Sequence, residues 1–266
     1  MSNKVILVTG GARGIGAGIV RTFLDAGDSV MICDIGLKSA SSQWTYELAT
    51  ASDISAIQDQ YEERVDACYV DVTDSDSCLQ AVKHTVEKFG QLDVLINNAG
   101  VVDSGPVESF SEKSWDRIFD VNAKGIFLMS KAALPELKKS IDAAIINTAS
   151  IAGKRGHANM SAYCGSKFAA IGITQSLAME FAPEGIRVNA ICPGVVGTAM
   201  WLDHLLPTNA VEHSQKNEEF EARMSELIPL GRAQSAEDMG EAARYLATAK
   251  NLTGVALSVS GGFEMN

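Results

Sequence analysis

The sequence predicts a doubly wound α/β domain in which a central parallel sheet of about seven strands carries helices on both faces. Seven short runs of apolar, mostly β-branched residues recur along the 266 residues, and stretches with helical spacing separate most of them. Strands that are apolar at successive positions are typical of parallel sheets, because helices cover both faces of such sheets. No low-complexity linker divides the chain. We therefore expect residues 1–266 to form one domain.

The elements follow one another in a regular order. The first apolar run leads into a glycine-rich turn and then into a helical pattern on Ile15, Ile19 and Phe23, which repeats as the buried face of a helix does. A longer helical pattern after the fifth run covers 161–181. The predicted strands are 5–8, 30–33, 68–70, 94–96, 144–146, 188–191 and 255–259.

Two stretches depart from this alternation. Residues 36–66 are long for a crossover and mix small polar with acidic residues, so we expect one or two exposed helices there. Residues 197–229 follow the sixth strand and combine Met200, Trp201 and Leu202 with a charged run at 212–221. A long excursion at the carboxyl end of a strand is a common place for an active-site lid, and a variable surface loop is the alternative. We expect a lid over about 197–229.

The composition excludes several functional classes. The chain has 22 Lys and Arg against 33 Asp and Glu, a formal net charge of -11. Proteins that bind nucleic acid or a membrane surface need a dense positive field, so we expect neither partner. No apolar run approaches the ~18 residues of a membrane span, and a cytoplasmic protein is expected. The five cysteines and four histidines lack zinc-site and disulfide spacing, so no metal is expected.

The glycine-rich turn at residues 9–16 reads TGGARGIG and lies between the first strand and the first helix. Glycines let the backbone approach a pyrophosphate closely, and the N-terminus of the helix offers it unpaired N–H groups. The flanking strand and helix are the context that this motif requires. The turn predicts a Rossmann-type dinucleotide site, with a purely structural turn as the alternative. The predicted cofactor residues of the turn are Gly10, Arg13, Gly14, Ile15 and Gly16.

The cofactor expected in this site is NAD. Asp34 ends the second predicted strand, 18 residues beyond Gly16. A carboxylate at this position accepts hydrogen bonds from the adenosine ribose hydroxyls and repels a 2'-phosphate. Arg13 leaves NADP open, because a basic side chain in the turn can reach a 2'-phosphate. The closer carboxylate favours NAD.

Tyr163 and Lys167 stand four residues apart in the 161–181 pattern, which puts them on one face of a helix. Further motifs follow the predicted strands in order: NNAG at 97–100, Ser150, and a Pro-Gly pair at 193–194. Together with the glycine turn, this set resembles the short-chain dehydrogenase/reductase family from about Lys4 to the end of the chain. The stretch 154–199, with its TAMW ending at 198–201, is similar to butanediol, acetoin and sugar-alcohol dehydrogenases of that family.

The resemblance implies a catalytic tetrad of Asn122, Ser150, Tyr163 and Lys167. Tyr163 would exchange the proton of the alcohol, and a phenol that titrates near ~10 needs a neighbouring cation to ionise at pH 7. Lys167 would supply that cation. Ser150 would hydrogen-bond the substrate oxygen, and Asn122 would hold a water that relays protons from Lys167 toward solvent.

The resemblance also implies further cofactor contacts. Asp71, at the end of the third strand, would meet the adenine amino group, with Val72 beside it. Lys167, together with Tyr163, would also contact the cofactor, the lysine at the nicotinamide ribose. The remaining cofactor positions lie after the fourth and sixth strands, and they are Asn98, Ala99, Gly100, Pro193, Gly194, Val196 and Thr198. Many relatives have a proline after the Thr, where this chain has Ala199.

The substrate positions of the family fall between Ser150 and Tyr163 and in the lid. Here they include Ala152, His157 and Trp201. A lid Trp predicts an apolar wall, and His157 could hydrogen-bond a second hydroxyl or carbonyl. We therefore expect an NAD-dependent oxidoreductase that interconverts a small polar secondary alcohol, such as a diol, polyol or sugar alcohol, and its ketone.

Two alternatives stay open. A 3-oxoacyl thioester reductase shares the tetrad but usually takes NADPH and needs a basic surface for a carrier protein. A non-catalytic dinucleotide sensor or scaffold on the same fold is the alternative from another class. The resemblance further implies a homotetramer or homodimer that buries the helix bearing Tyr163 and the carboxyl-terminal strand.

Overall fold

The computed structural model describes residues 3–37, 50–197 and 213–265. Seven parallel strands form one sheet in the order β3-β2-β1-β4-β5-β6-β7, with helices on both faces, which confirms the predicted fold class. The strands are β1 (Val5–Thr9), β2 (Ser29–Asp34), β3 (Val65–Tyr69), β4 (Val94–Asn97), β5 (Ala144–Thr148), β6 (Arg187–Pro193) and β7 (Ala256–Val259). The α-helices are α1 (Gly14–Asp25), α2 (Ala51–Tyr61), α3 (Ser75–Phe89), α4 (Glu112–Phe119), α5 (Gly125–Leu137), α6 (Ser161–Phe181), α7 (His213–Leu227) and α8 (Ala236–Thr248).

The sheet has a hydrophobic core on each face. In β1, Ile6 and Val8 point into a core shared with Phe23 of α1 and Leu246 of α8. The residue between them, Leu7, belongs to the core on the opposite face, with α3, α5 and α6. Successive side chains of a strand alternate between faces, so a strand covered on both sides is apolar at every position.

The third strand differs from its prediction. It runs over Val65–Tyr69 instead of 68–70, so Asp71 lies two residues beyond its end. The physical reason is its place at the edge of the sheet, where β2 is its one neighbour among the described strands. Four of its five residues are half-buried, so a polar residue, Asp66, is tolerated within the strand. The strand therefore begins without the unbroken apolar run that would indicate its start in the sequence.

The long stretch between β2 and β3 contains one described α-helix. A capping box of Thr50 and Asp53 fixes the start of α2. Ile54 and Ile57 are buried against the sheet, while most of the remaining side chains face solvent. The expectation of exposed helices is met by α2 within the described part, and 38–49 lie outside it.

The predicted lid is described only in its second half. Helix α7 packs through Phe220 and Met224, together with Ile228 just beyond its end, onto Val195, just after β6. Thr198, Met200, Trp201 and Leu202 lie outside the described residues. No helix in the described part of the chain is both long enough and apolar enough to cross a membrane.

Candidate active site

The candidate site lies at the carboxyl edge of the sheet, where parallel strands bring the residues that follow them together. β1 and β4 are neighbours, and the strand order runs outward in both directions from this pair. Such a switch point leaves a crevice in which open α/β sheets bind ligands. The glycine turn, Asp34, the NNAG segment, Ser150 and the Pro-Gly pair all lie at this edge.

The glycine turn is shaped by close backbone approach. Gly10 has φ +61, a conformation that favours glycine. A Cβ at Gly16 would overlap the carbonyl oxygen of Gly10, so only a glycine fits there. Helix α1 begins at Gly14, within the last part of the turn, and the first N–H groups of a helix have no partner within it. The predicted turn residues therefore form a cradle suited to an anion.

Asn98 holds the glycine turn against β4. Its Nδ2 donates to the carbonyl oxygens of Thr9 (3.1 Å) and Gly10 (2.9 Å). In return, Thr9 Oγ1 accepts the backbone N–H groups of Asn98 (3.0 Å) and Ala99 (3.1 Å). The side chain of Asn98 is thus engaged in structural bonds, and Thr9 joins the site as a residue that its sequence motif did not predict.

Asp34 lies beside the same turn. Its side chain is buried, with Oδ2 accepting from the backbone N–H of Ala12 (3.3 Å) and Oδ1 from that of Gly36 (3.0 Å). Each carboxylate oxygen keeps a second lone pair for a ligand. Arg13 lines a cavity on the outer side of the turn together with Asp53. The structure therefore brings Asp34 and the turn together.

Tyr163 and Lys167 occupy one face of α6, and Ser150 precedes the short helix Ile151–Gly153. Lys167 Nζ lies 5.7 Å from the centroid of the Tyr163 ring. Burial raises the pKa of Tyr163 to about 12, against the lowering effect of a hydrogen bond with Ser150. These three predicted side chains form one cluster. Below its pKa the phenol is neutral and can donate a proton.

Lys167 is held in a buried position. Its side chain is only 4% exposed, and Nζ donates to the carbonyl oxygen of Thr148 (2.9 Å). Burial lowers its pKa to about 8, because desolvation disfavours the ammonium form. Thr148 contributes a backbone oxygen, and no side-chain pattern in the sequence predicts such a contact.

Asn122 serves as a clamp in this structure. It lies in a π-helical turn over Asp120–Lys124 and is 1% exposed. Oδ1 accepts from the N–H of Val101 (2.8 Å), and Nδ2 donates to the carbonyl oxygen of Val101 (2.9 Å) and to Ser166 Oγ (3.0 Å). Both amide hydrogens and one oxygen lone pair are thereby used. The water that Asn122 is predicted to hold would therefore bind the second lone pair of Oδ1 or the backbone of Asn122.

The other predicted contacts flank the cluster. Asp71 Oδ1 accepts from the N–H (2.9 Å) and the hydroxyl (2.7 Å) of Thr73, and Val72 packs near Gly125. A Cβ at Gly100 would lie 3.5 Å from Lys167 Nζ, which places that glycine beside the cluster of Ser150, Tyr163 and Lys167.

The segment after β6 is fixed by a residue distant in sequence. Pro193 ends the strand, and Gly194 donates to the carbonyl oxygen of Val259 (2.9 Å). Val196 pairs with Gln234, whose Oε1 accepts from the N–H of Val195 (2.9 Å). Gln234 was not predicted, because its part depends on this long-range pairing.

Four of the predicted substrate residues are described: Ser150 and Tyr163 belong to the cluster above, and Ala152 and His157 lie between them in the chain. Ala152 is buried and donates its N–H to Ser150 Oγ (3.1 Å), while His157 is half-buried in the loop before α6. Trp201 and Thr198 lie outside the described residues. Among the residues that the structure describes, no His, Cys, Asp and Glu side chains are grouped to hold a metal ion.

The sequence is similar over its whole length to those of known dehydrogenases and reductases. The chain is 35% identical over 272 residues to galactitol 2-dehydrogenase of Agrobacterium fabrum, covering 100% of this chain and 99% of that protein. It is 34% identical to L-2,3-butanediol dehydrogenase of Corynebacterium glutamicum, covering 99% and 100% of the two chains. It is also 33% identical to a 3-oxoacyl-[acyl-carrier-protein] reductase of Chlamydia muridarum, covering 98% and 97%.

A solved structure and a family model also match this chain. A crystal structure of carveol dehydrogenase from Mycobacterium avium in complex with NAD superimposes with a TM-score of 0.87 at 27% identity, covering 98% of this chain and 97% of the other. The family described as short chain dehydrogenase matches residues 4–205. The chain belongs to the short chain dehydrogenase family.

Proposed function

We propose that this protein is an NAD-dependent oxidoreductase that interconverts a small polar secondary alcohol, of the diol, polyol or sugar-alcohol class, and its ketone. The observation that carries the proposal is the cluster of the half-buried Tyr163 with the buried Ser150 and Lys167, at the sheet edge that also bears the glycine turn. The full-length similarity to galactitol and butanediol dehydrogenases supports the substrate class.

The residues at this edge fit a dinucleotide. The glycine turn and the start of α1 would hold the pyrophosphate, and Asp34 would accept from the adenosine ribose. Asp71 and Val72 would border the adenine. Along the rest of the cofactor would lie Asn98, Ala99, Gly100, Tyr163, Lys167, Pro193, Gly194, Val196 and Thr198. When bound, NAD supplies the hydride acceptor, and the protein supplies proton transfer.

Tyr163 and Lys167 would divide the proton transfer. In ketone reduction the neutral phenol donates its proton, and a pKa of about 12 keeps it protonated at neutral pH. In alcohol oxidation the phenol must first ionise, so the rate should rise with pH. Ser150 would hydrogen-bond the substrate oxygen and stabilise its developing charge. Lys167, close to the phenol ring, would favour the phenolate when it is protonated.

Replacement of the tyrosine tests the catalytic role. We expect Tyr163→Phe to lower turnover by roughly 10²- to 10⁴-fold, the usual contribution of a general acid or base. NADH affinity, measured by fluorescence titration, should stay within about twofold of wild type, because the ring remains in place. Tyr245→Phe, at an exposed position of α8, is the matched control and should retain full activity. Wild-type turnover in Tyr163→Phe would overturn the assignment.

The cofactor assignment rests on Asp34. The buried carboxylate repels a 2'-phosphate, so we expect a kcat/KM preference for NAD over NADP of well over about tenfold. Asp34→Asn keeps an oxygen for the N–H of Gly36 but removes the charge, and it should reduce this preference. Equal rates with both cofactors in the wild type would contradict the proposal.

A substrate screen separates the remaining functions. The wild type should reduce NAD with diols, polyols or sugar alcohols and show little activity with hydroxy acids. Reduction of a 3-oxoacyl thioester with NADPH as the preferred reaction would favour the thioester reductase instead. NADH binding with no turnover of any alcohol or ketone would favour a sensor.

We further propose one cytoplasmic domain over residues 1–266, with a lid at about 197–229, that assembles as a homotetramer or homodimer. The strands of one sheet come from residues as distant as Val5 and Val259, which supports a single domain. Phe168 and Met179 of α6 are 48% and 82% exposed, which supports burial of α6 in an assembly. Light scattering during gel filtration measures the mass, and a monomer would contradict the assembly.

A further inference from the structure

Two cysteines lie side by side in neighbouring strands. Cys33 of β2 and Cys68 of β3 are paired in register, and their sulfur atoms are 3.4 Å apart. Adjacent strands are spaced about 4.8 Å apart, which falls within the Cα separation that disulfides span. A disulfide has an S–S distance of about 2.05 Å, so a small approach of the two sulfurs would complete the bond.

The two sulfurs differ in access. Cys33 is fully buried, whereas Cys68 is half-buried and lines a surface cavity of about 270 Å³ with Tyr69, Gln80 and His84. A small oxidant can therefore reach Cys68 from solvent. Cys33 lies behind it, within contact distance of the sulfur that would be oxidised.

The pKa values of the two thiols are shifted in opposite directions. The hydrogen bond between the sulfurs lowers the pKa of the Cys68 thiol, while burial raises the pKa of Cys33 well above its usual range. The thiolate is the reactive form of cysteine, so Cys68 is the group that an oxidant attacks first. By contrast, burial raises the pKa of Cys78 to about 12. Cys164 and Cys192 are also buried.

We propose that Cys33 and Cys68 form a reversible disulfide when the protein meets a hydroperoxide, and that this oxidation weakens binding of the dinucleotide. The Cys68 thiolate attacks the peroxide oxygen, giving a sulfenic acid and an alkoxide or hydroxide that takes up a proton. The Cys33 thiol then attacks the sulfenic sulfur and releases water. The two thiols lose two electrons and two protons, and the peroxide is reduced to water and an alcohol, or to two waters. A dithiol reverses the reaction by exchange.

The effect on the cofactor follows from the position of Cys33. Its carbonyl oxygen accepts the N–H of Gly10 (2.8 Å) in the glycine turn, and the next residue is Asp34. Drawing the Cys33 sulfur toward β3 shifts the backbone that supports both cofactor contacts. This part of the inference rests on the proposed use of NAD, whereas disulfide formation does not.

Peptide mapping tests the modification. The reduced full-length protein is treated with hydrogen peroxide, alkylated and digested without reductant. We expect a Cys33–Cys68 cross-linked peptide pair that dithiothreitol removes. Cys68→Ala should abolish it, and Cys78→Ala, which deletes a nearby buried thiol, should retain it. Oxidation of Cys68 to a sulfinic acid without a cross-link, or a cross-link to a different cysteine, would overturn the proposal.

NADH titration tests the coupling. We expect the dissociation constant to rise at least about fivefold on oxidation, the lower end of typical coupling between sites, and to recover after reduction. Cys68→Ala treated with peroxide should show no such change. Equal affinity of the oxidised and reduced wild type would overturn the coupling. Failure of the reduced protein to bind NADH would instead overturn the proposed function, while peptide mapping still decides whether the disulfide forms.

Discussion

The three hydrogen bonds of the Asn122 side chain predict how much stability the protein loses when that side chain is removed. Asn122→Ala removes the bonds to the N–H and the carbonyl of Val101 and the bond to Ser166. Each bond contributes about 1 kcal/mol net, and a buried backbone group that loses its partner costs roughly 1–3 kcal/mol. Val101 is 4% exposed, so water cannot readily replace the amide. We expect a loss of about 3 to 5 kcal/mol in the free energy of unfolding.

The assay is equilibrium unfolding in urea at one fixed protein concentration, followed by circular dichroism. Ser166→Ala is the matched comparison, because it removes one bond from Asn122 and one from Ser166 Oγ to the carbonyl of Tyr163. Its cost should be about 1 to 2 kcal/mol. A loss below about 1 kcal/mol in Asn122→Ala, at an unchanged urea slope, would refute the reasoning that this amide clamps the loop after β4.

Two further predictions concern the glycine turn and an ion cluster. Gly16→Ala should weaken NADH binding, measured by fluorescence titration, by at least about tenfold, because the added Cβ meets the Gly10 carbonyl. Gly172→Ala is the control: a Cβ there meets no atom within 4 Å, so this variant should bind NADH as the wild type does. Burial tends to raise the pKa of Asp142, but hydrogen bonds from Lys250 and Lys4 lower it to about 2. The carboxylate therefore stabilises the fold above its unfolded pKa of 3.8, and this stabilisation is lost as the pH falls toward 2. Asp142→Asn should cost about 2 kcal/mol in urea unfolding at pH 7 and progressively less below pH 4, and a constant cost at all pH values would contradict the assignment.

Local signals predicted much of the fold. The start of α1 and the extent of α6 were predictable, because a strand-turn-helix motif and helical spacing depend on neighbours in the chain. The third strand was misplaced, since an edge strand does not need to be apolar at every position. Whether a strand lies at the edge of the sheet depends on which strands pair, and no local pattern in the sequence predicts this.

The cluster of candidate site residues was predictable in part. The spacing of Tyr163 and Lys167 placed both on one face of α6, and the family resemblance added Ser150 and Asn122. The three bonds of the Asn122 side chain were not predictable. They join segments that are 21 and 44 residues apart, so they depend on how the helices pack beside β4.

The sequence by itself determined the class of site: a glycine turn after a strand, a carboxylate after the next strand, and a tyrosine and lysine one helical turn apart. These features follow from residue type and local geometry. Only the tertiary structure decided that the Thr148 carbonyl holds Lys167, that burial moves the pKa of Tyr163 and Lys167 in opposite directions, and that Cys33 meets Cys68. Backbone oxygens carry no residue signature, and desolvation and strand register exist only once distant segments have packed together.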